Sequence, residues 1–188
     1  MANEAGQIRD EQLDAQREAV RRTALAQIRQ YGDPALRMRA RPVAECDEDL
    51  ARLVRRMKQL MVDANGVGLA ATQLGVLRRV FVFQDDPDEE PIALVNPEIV
   101  ERSDETATED EGCLSLQGVL VPVERAAAVS VEGKDESGAD VRLELEEPGA
   151  RVVQHEVDHL DGVLIIDRTT PEARREALSI LRPRIALV

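Results

Sequence analysis

The two histidines of this chain lie four residues apart, and a glutamate directly follows the first. His155, Glu156 and His159 form an HExxH pattern, and the 188-residue sequence contains no other histidine. Residues four apart share one face of a helix, so two imidazoles can bind one cation while the glutamate handles protons. The pattern therefore predicts a metal centre with an acid/base group beside it. A pair of ordinary helix histidines is the alternative.

A catalytic metal site of this kind has three protein ligands and an open position, so a third ligand must come from elsewhere in the chain. The metzincin pattern HExxHxxGxxH is excluded, because Gly162 matches but Ile165 holds the third histidine position. A downstream glutamate, Glu172 or Glu176, could serve, although Pro171 interrupts the chain before both. The residues alone leave open these glutamates, other carboxylates and the two cysteines.

The cysteines are too few for a disulfide scaffold in a chain of this length, which fits a reducing compartment. Cys113 is the better candidate ligand, because it lies in the sequence EGCLS, where a glycine permits a tight turn. Cys46 follows a polar stretch just before a helix start, and we expect it to be a small, half-buried side chain. Unpaired cysteines are often buried in cores, so that role also remains open for Cys113.

Four stretches have helical character. The first covers residues 11–30, and the second begins at Asp47 as its N-cap and ends at Asn65 and Gly66. The third follows Pro148, carries the HExxH pattern and ends at Gly162. The fourth covers residues 172–181, with Pro171 at its start and Pro183 ending it.

The middle of the chain is mostly β-prone. The predicted strands are 79–84, 92–95, 99–102, 119–123, 127–132 and 141–145. Residues 134–140 have hairpin-loop chemistry, so the last two strands should be antiparallel neighbours. The glycine-rich stretch 66–75 has too little periodicity for a regular element. We predict that it is a loop whose small residues let the backbone approach a ligand closely.

Three separated segments resemble the signature motifs of the peptide deformylases. They are residues 66–73 (GVGLAATQ), 111–115 (EGCLS) and 154–162 (QHEVDHLDG), in the same order as in that family. The resemblance implies an α+β fold with antiparallel sheets packed around a central HExxH-bearing helix, to which this chain adds N-terminal and C-terminal helices. We therefore expect an N-terminal helical extension at 1–30, a catalytic domain at 31–170 and a C-terminal helical extension at 171–188.

The resemblance also implies an activity, which is removal of the formyl group from the N-terminal formylmethionine of nascent polypeptides, with release of formate. It implies one divalent metal ion per chain, Fe2+ in the cell, with Zn2+, Ni2+ or Co2+ able to occupy the same ligands. The resemblance implies that the metal ligands are Cys113, His155 and His159 and that Glu156 is the general acid/base. It implies that Gln73 and the backbone N–H of Leu114 donate to the formyl oxygen. It also implies that the substrate main chain binds at Gly66, Val67 and Gly68.

Composition bears on partners and location. The chain has 24 Lys plus Arg against 37 Asp plus Glu, a formal net charge of −13, which repels a phosphate backbone and disfavours DNA as a partner. No targeting segment or apolar span is visible, so we expect a cytoplasmic protein that does not enter a membrane. Arg174, Arg175, Arg182 and Arg184 could contact ribosomal RNA, although an ordinary charged helix face is the better explanation.

The same residues are also compatible with two functions other than deformylation. HExxH alone does not specify the acyl group, so a peptidase or another amidase could use the same helix. A non-catalytic binding domain is the second alternative, in which Cys46 closes the metal shell as a fourth ligand. Internal peptide-bond cleavage would favour the first, and loss of metal or fold on removal of Cys46 would favour the second.

Overall fold

The computed structural model describes residues 2–86 and 88–182. The predicted helix stop at Pro183 and the arginine at position 184 lie outside the described residues. The helices are α1 (Ala2–Leu25), α2 (Glu48–Asp63), α3 (Gly149–Leu160) and α4 (Pro171–Leu181). The strands are β1 (Gly68–Ala70), β2 (Val80–Phe83), β3 (Ile92–Arg102), β4 (Thr106–Glu111), β5 (Val121–Ala126), β6 (Ala128–Lys134) and β7 (Asp140–Glu146).

The strands form two antiparallel sheets, which together with the helices confirm the predicted α+β class. One sheet has the order β1-β2-β3-β6-β7, and the other pairs β4 with β5. The hairpin predicted around residues 134–140 is confirmed, since β6 and β7 pair antiparallel from Ala128↔Glu146 to Lys134↔Asp140. None of the helices described is both long enough and apolar enough to cross a membrane.

The prediction of a loop at residues 66–75 was wrong for most of its length. Gly68–Ala70 is strand β1, paired with β2 in the register Gly68↔Phe83 to Ala70↔Phe81, and Ala71–Leu74 is a short 3-10 helix. Three residues are too few to show strand alternation in the sequence, and the pairing to a buried neighbour decides the conformation. The glycine-rich stretch is therefore a fixed part of the sheet.

Two strands predicted at 92–95 and 99–102 are one strand, β3, interrupted by register shifts against β6. Asn96 lies at this irregularity with φ of 52°, and its side chain exchanges two hydrogen bonds with the backbone of Val43, at 2.8 and 2.9 Å. Asparagine tolerates that left-handed conformation better than most residues. The bulge therefore anchors the segment before α2 to the sheet.

Helix α1 begins and ends earlier than the predicted 11–30. After Leu25 the chain leaves the helix, and its backbone turns to contact two other segments. The Arg29 N–H donates to the Gln73 carbonyl at 2.7 Å, and the Tyr31 N–H donates to the Ser115 carbonyl at 2.8 Å. These bonds replace the helical ones and attach the end of α1 beside the 66–75 and 111–115 segments.

Helix α2 confirms its predicted start, since the Asp47 carboxylate accepts from the Leu50 N–H at 2.8 Å as an N-cap. Its apolar stripe packs against β1 and β2. The buried members of that stripe are Leu50, Val54, Met57, Leu60 and Met61. Burial of each such side chain contributes about 1.5–3 kcal/mol before the entropy cost of ordering it.

Helix α3 packs on a second cluster of apolar side chains that the large sheet supplies. Ala150, Val153 and Leu160 on α3 are fully buried with Phe81 and Phe83 of β2. A third cluster joins β5 to α4 through Val123 and Ala177, among others. The helix that carries HExxH is thus held on one face by apolar packing, and its other face is free to present polar groups.

Candidate active site

Cys113 lies close to His155 and His159 in space, although it precedes them by 42 and 46 positions along the chain. Their ligand atoms, one from each residue, all lie within 4.8 Å of one another. The Cys113 Sγ is 3.2 Å from the His159 Nε2, and the two imidazole ring centres are 4.9 Å apart. One thiol and two imidazoles at this spacing are a donor set that suits a single divalent metal ion.

Two parts of the fold position the three candidate ligands. His155 and His159 lie one turn apart on α3, as the spacing predicted. Cys113 lies two residues after the end of β4, whose full pairing with β5, from Thr106↔Ala126 to Glu111↔Val121, fixes where the loop begins. Cys46 is not part of this group; it is half-buried and packs against the cluster around α2, as expected from the sequence.

The Cys113 sulfur accepts hydrogen bonds from the polar groups around it. The Ser115 N–H donates to Sγ at 3.4 Å, and the Gln73 Nε2 lies 3.7 Å from the same atom. The Gln73 side chain is itself held, because its Nε2 donates to the Ser115 Oγ at 3.1 Å and its Oε1 accepts from the Ala70 N–H at 2.8 Å. Such donors favour negative charge on the sulfur, as a metal-ligating thiolate requires.

Glu111 binds the ring nitrogen of His155 that faces away from the cluster. Its Oε2 lies 3.0 Å from the His155 Nδ1, so an N–H at that nitrogen can donate to the carboxylate while Nε2 faces the cluster. Arg125 forms two bonds to the same carboxylate, at 2.9 and 3.0 Å. Burial would raise the pKa of Glu111, but the hydrogen bonds from His155 and Arg125 outweigh it and lower the pKa to about 2.

Arg125 also contacts a second carboxylate on α3, so the network continues beyond Glu111. Its Nη1 donates to the Asp158 Oδ2 at 2.6 Å, and Arg168 forms bonds of 2.6 and 3.0 Å to the same group. Arg151 donates to Glu111 at 3.0 Å. Apart from the half-exposed Arg168, these charges are largely buried, and each one has an opposite partner, which is the condition for tolerating them in a core.

Glu156 has no such partner. It is 3% exposed, and its Oε2 has no hydrogen-bond partner among the residues that the structure describes. Burial raises the pKa of its carboxyl to about 7, with the Glu111 charge adding to the effect and His155 opposing it. A buried, unsatisfied carboxyl next to a ligand cluster is the condition expected of a proton-transfer group. The His159 Nδ1 also has no hydrogen-bond partner within residues 2–86 and 88–182.

The three residues predicted to bind substrate lie beside these groups. A Cβ at Gly68 would approach the Glu156 carboxyl carbon to 2.9 Å, and a Cβ at Gly66 would approach the Leu114 Cδ1 to 2.8 Å. Val67, between them, is 58% exposed. The absence of side chains at 66 and 68 is therefore what lets this segment contact both the carboxyl and the 111–115 loop.

The loop of Cys113 is attached to the segment after α1 by side-chain amides. Gln117 donates to the Gln30 Oε1 at 3.0 Å, and the Gln30 Nε2 donates to the Leu114 carbonyl at 3.1 Å. These amide contacts constrain the loop that carries Cys113.

Most of the predicted site residues face one cavity of about 640 Å³. Its lining includes every predicted site residue except His159, which is 2% exposed. Apolar side chains line much of the wall, including Leu25, Val67, Leu116, Val119 and Val152. A pocket of this size and character suits a ligand with an apolar side chain and a few polar contacts.

Comparison with known proteins assigns the family. The family model described as polypeptide deformylase matches residues 25–175. The chain belongs to the polypeptide deformylase family. It is 48% identical to the peptide deformylase of Thermotoga maritima over 147 residues, which are 78% of this chain and 88% of that protein.

Solved structures of polypeptide deformylases have the same fold. The structure from Legionella pneumophila superposes with a TM-score of 0.78 at 40% identity, covering 82% of this chain and 91% of that one. The structure from Synechococcus elongatus, which is in complex with actinonin, gives a TM-score of 0.77 at 38% identity, with 83% and 91% covered. Membership makes this chain a metal-dependent hydrolase.

Several residues that support this deformylase site have no recognisable role in the sequence. Glu111 lies within the EGCLS segment, but neither it nor Arg125 or Asp158 belongs to a pattern that indicates a function. Glu111 and Asp158, the two partners of Arg125, are 14 and 33 positions away from it along the chain, so no local pattern reveals the network. The one indication in the sequence is that these charged residues occupy strand and helix positions whose pattern predicts burial.

Proposed function

We propose that this chain removes the formyl group from the N-terminal formylmethionine of nascent polypeptides and releases formate. The observation that supports this most strongly is the cluster of Cys113, His155 and His159 beside the buried, unpartnered carboxyl of Glu156, in a cavity. Such a set provides three ligands, leaves a position open, and adds a group that can move a proton.

The donor set fits a divalent metal, and we assign Cys113 Sγ and the Nε2 atoms of His155 and His159 as its ligands. A bound metal would supply Lewis-acid chemistry that activates water at neutral pH. We propose Fe2+ as the ion in the cell, with Zn2+, Ni2+ or Co2+ able to replace it, because thiolate and imidazole ligands accept all four. Glu111 would keep the His155 ring oriented for this role.

Glu156 would act as the general acid/base. Its raised pKa, to about 7, lets the carboxyl both accept and return a proton near neutral pH. It would accept the proton of the attacking water and deliver it to the amine nitrogen as the C–N bond to the formyl carbon breaks. The free Oε2 is the atom available for this exchange.

Gln73 and the backbone N–H of Leu114 would stabilise the formyl oxygen as negative charge develops on it. The Gln73 amide is 1% exposed and held by its bonds to Ala70 and Ser115, so its position is set before substrate arrives. The Ser115 Oγ takes one of its two N–H groups, and the one that faces the Cys113 sulfur at 3.7 Å would turn to the formyl oxygen. One prepositioned donor of this kind is worth about 2.7–4 kcal/mol in the transition state.

Gly66, Val67 and Gly68 would bind the main chain of the peptide. Strand β1 begins at Gly68 and is an edge strand of its sheet, so an extended peptide could pair alongside it. The exposed Val67 side chain and the apolar cavity wall would contact the methionine side chain. This arrangement would direct the formyl group towards Glu156, which lies against Gly68.

We also propose the predicted division of the chain, with the α3 helix as the central element of a catalytic domain at 31–170 and extensions at 1–30 and 171–188. A cytoplasmic location is part of this proposal. Ribosome association would involve the arginines of α4, but Arg174 and Arg175 already pair with Asp167 and Glu172, at 3.2 and 2.8 Å. Sedimentation of the protein with ribosomes at physiological salt tests that contact.

Formate release from a formyl-Met tripeptide, with Fe2+ or Ni2+ bound, tests the proposal directly. We expect formate in stoichiometric amounts with the free amine, and no cleavage between the residues of the tripeptide. Cleavage of internal bonds without formate would support a peptidase instead. A metal-loaded, folded protein with no turnover on either bond would support a non-catalytic binding domain.

A further inference from the structure

Helix α1 contributes to the wall of the active-site cavity, although the family match begins only at residue 25. Two of its residues line the cavity, Arg21 and Leu25. They are four apart and therefore share one face of the helix. The extension thus places a cation at a cavity that the family's shared segment otherwise builds.

The position of Arg21 follows from that of Leu25. Leu25 is 9% exposed and packs in the same cluster as Met61 and Ala64, at the end of α2. Ala64 immediately precedes Asn65 and Gly66, which also line the cavity. Arg21 lies one turn nearer the N-terminus of α1 and lines the same cavity, so the packed Leu25 determines where Arg21 joins the cavity wall.

Arg21 is also the cationic side chain of the lining that is least engaged by other groups. Its contact to Glu18 is 3.6 Å long, and both side chains are well exposed, at 41% and 66%. Arg151, the other arginine of the lining, is 11% exposed and bonded to Glu111, Glu147 and two backbone carbonyls. An exposed pair like that of Arg21 exchanges partners at little cost.

We infer that Arg21 is a specificity-determining residue that favours formyl-Met peptides with a carboxylate side chain at the second or third position. The inference rests on the proposed function, because it assumes that the peptide follows residues 66–68 with its formyl end at Glu156. The chain carries a net charge of −13, so an acidic peptide is otherwise repelled. A local cation at the cavity offsets that repulsion where the peptide emerges.

The test compares kcat/KM for pairs of C-terminally amidated peptides. Formyl-Met-Glu-Ala-amide and formyl-Met-Ala-Glu-amide are each measured against the matching glutamine peptide at low salt. We expect at least one glutamate peptide to be preferred by roughly two- to fivefold, the range of an exposed ion pair, and the preference to shrink at about 1 M salt. Arg21→Gln should abolish it, and Arg21→Glu should transfer it to the corresponding lysine peptide.

Arg22→Gln is the matched control, because it removes the same charge from the next residue of α1, which is exposed and does not line the cavity. That variant should keep the glutamate preference. The inference is overturned if the wild-type protein shows no preference, if Arg21→Gln retains it, or if lysine peptides are preferred, as would occur if the exposed Asp110 of the lining dominated.

A further arm compares formyl-Met-Ala-Gln as the free acid and as the amide. A preference that appears only for the free acid would assign Arg21 to the terminal carboxylate of short peptides and overturn the inference for nascent chains. Absence of formate from every peptide would defeat the proposed function itself. Formate from all of them at equal rates would defeat only the role of Arg21.

Discussion

The carboxyl group of Glu156 occupies the space that a side chain at Gly68 would need. A Cβ built at that position lies 2.9 Å from the Glu156 carboxyl carbon, well inside contact distance. Strand β1 holds Gly68 through its pairing with Phe83, and α3 holds Glu156 by its own packing, so neither backbone can retreat easily. Gly68, in the proposed substrate-binding segment, and Glu156, the proposed general acid/base, are therefore packed so closely that no side chain fits at position 68 without moving the carboxyl group.

Gly68→Ala should lower kcat by roughly 100-fold, because a displacement of about 1 Å at a reacting group has that effect. The metal content should remain normal, since the three atoms nearest to a Cβ built at Gly68 all belong to Glu156, which is not assigned as a ligand. Val67→Ala is the matched neighbour. Its side chain is exposed, so its loss should raise KM and leave kcat nearly unchanged. A Gly68→Ala protein with normal kcat would contradict the fitted arrangement.

Glu156→Gln should reduce kcat by roughly 10²–10⁴-fold, since the amide cannot accept and return a proton. Metal content measured on the same sample should be unchanged, because Glu156 is not assigned as a ligand. Glu172→Gln, on the exposed first turn of α4, is the control for loss of one negative charge. Near-normal turnover by a metal-loaded Glu156→Gln protein would reject the assigned role.

Glu111→Gln should weaken metal affinity by roughly 10–100-fold, because the amide holds the His155 ring less firmly. It should also lower the melting temperature, because Arg125 loses a buried charge partner. Asp158→Asn separates the two effects, since Asp158 pairs with Arg125 but does not contact His155. Both variants should melt earlier in metal-free form, and only Glu111→Gln should show the affinity loss in a competition titration with a chelator.

The helices of the site could be predicted because their information is local. Val153 and Leu160 repeat at helical spacing around His155, and the Asp47 cap marks the start of α2 in the sequence itself. The third metal ligand could be assigned to Cys113 only through the resemblance to the deformylases. Reasoning from the residues alone left Cys46 and several carboxylates open, because nothing local says which loop approaches α3.

The unpredicted parts depend on contacts between distant segments. Strand β4 was missed because its sequence, TATEDE, is half acidic and largely exposed, and only pairing with β5 makes it a strand. Strand β1 is three residues long and depends on β2 in the same way. The ion network of Glu111, Arg125 and Asp158 joins two strands and a helix, so no sequence period contains it.

Cys46→Ser and Cys113→Ser should behave differently. Cys46 lies outside the ligand cluster and packs against the α2 core, so its replacement should leave metal content intact and the protein folded. Replacement of Cys113 removes the assigned thiolate ligand and should greatly reduce metal retention on dialysis against a chelator. Loss of metal or fold in the Cys46 variant would revive the closed-shell binding domain.

Asp167 connects the chain after α3 to two arginines, and its contribution to stability should depend on pH. Burial would raise its pKa, but the hydrogen bond from Arg37, the Leu164 N–H and the charge of Arg174 outweigh that effect and lower it. The unfolded carboxyl titrates near pH ~3.9. The stabilisation is therefore complete above that value and is lost as the pH falls through the lower folded-state pKa.

Asp167→Asn should accordingly unfold at a lower urea concentration than the wild-type protein at pH 7, with both proteins free of metal. The gap between the two midpoints should narrow steadily below about pH 4, where the native carboxylate becomes protonated and resembles the amide in charge. Asp104→Asn, at an exposed position between β3 and β4, is the control and should show little change at either pH. A gap for Asp167→Asn that stays constant from pH 7 down to pH 2 would show that its arginine contacts contribute through shape and packing, with no contribution from charge.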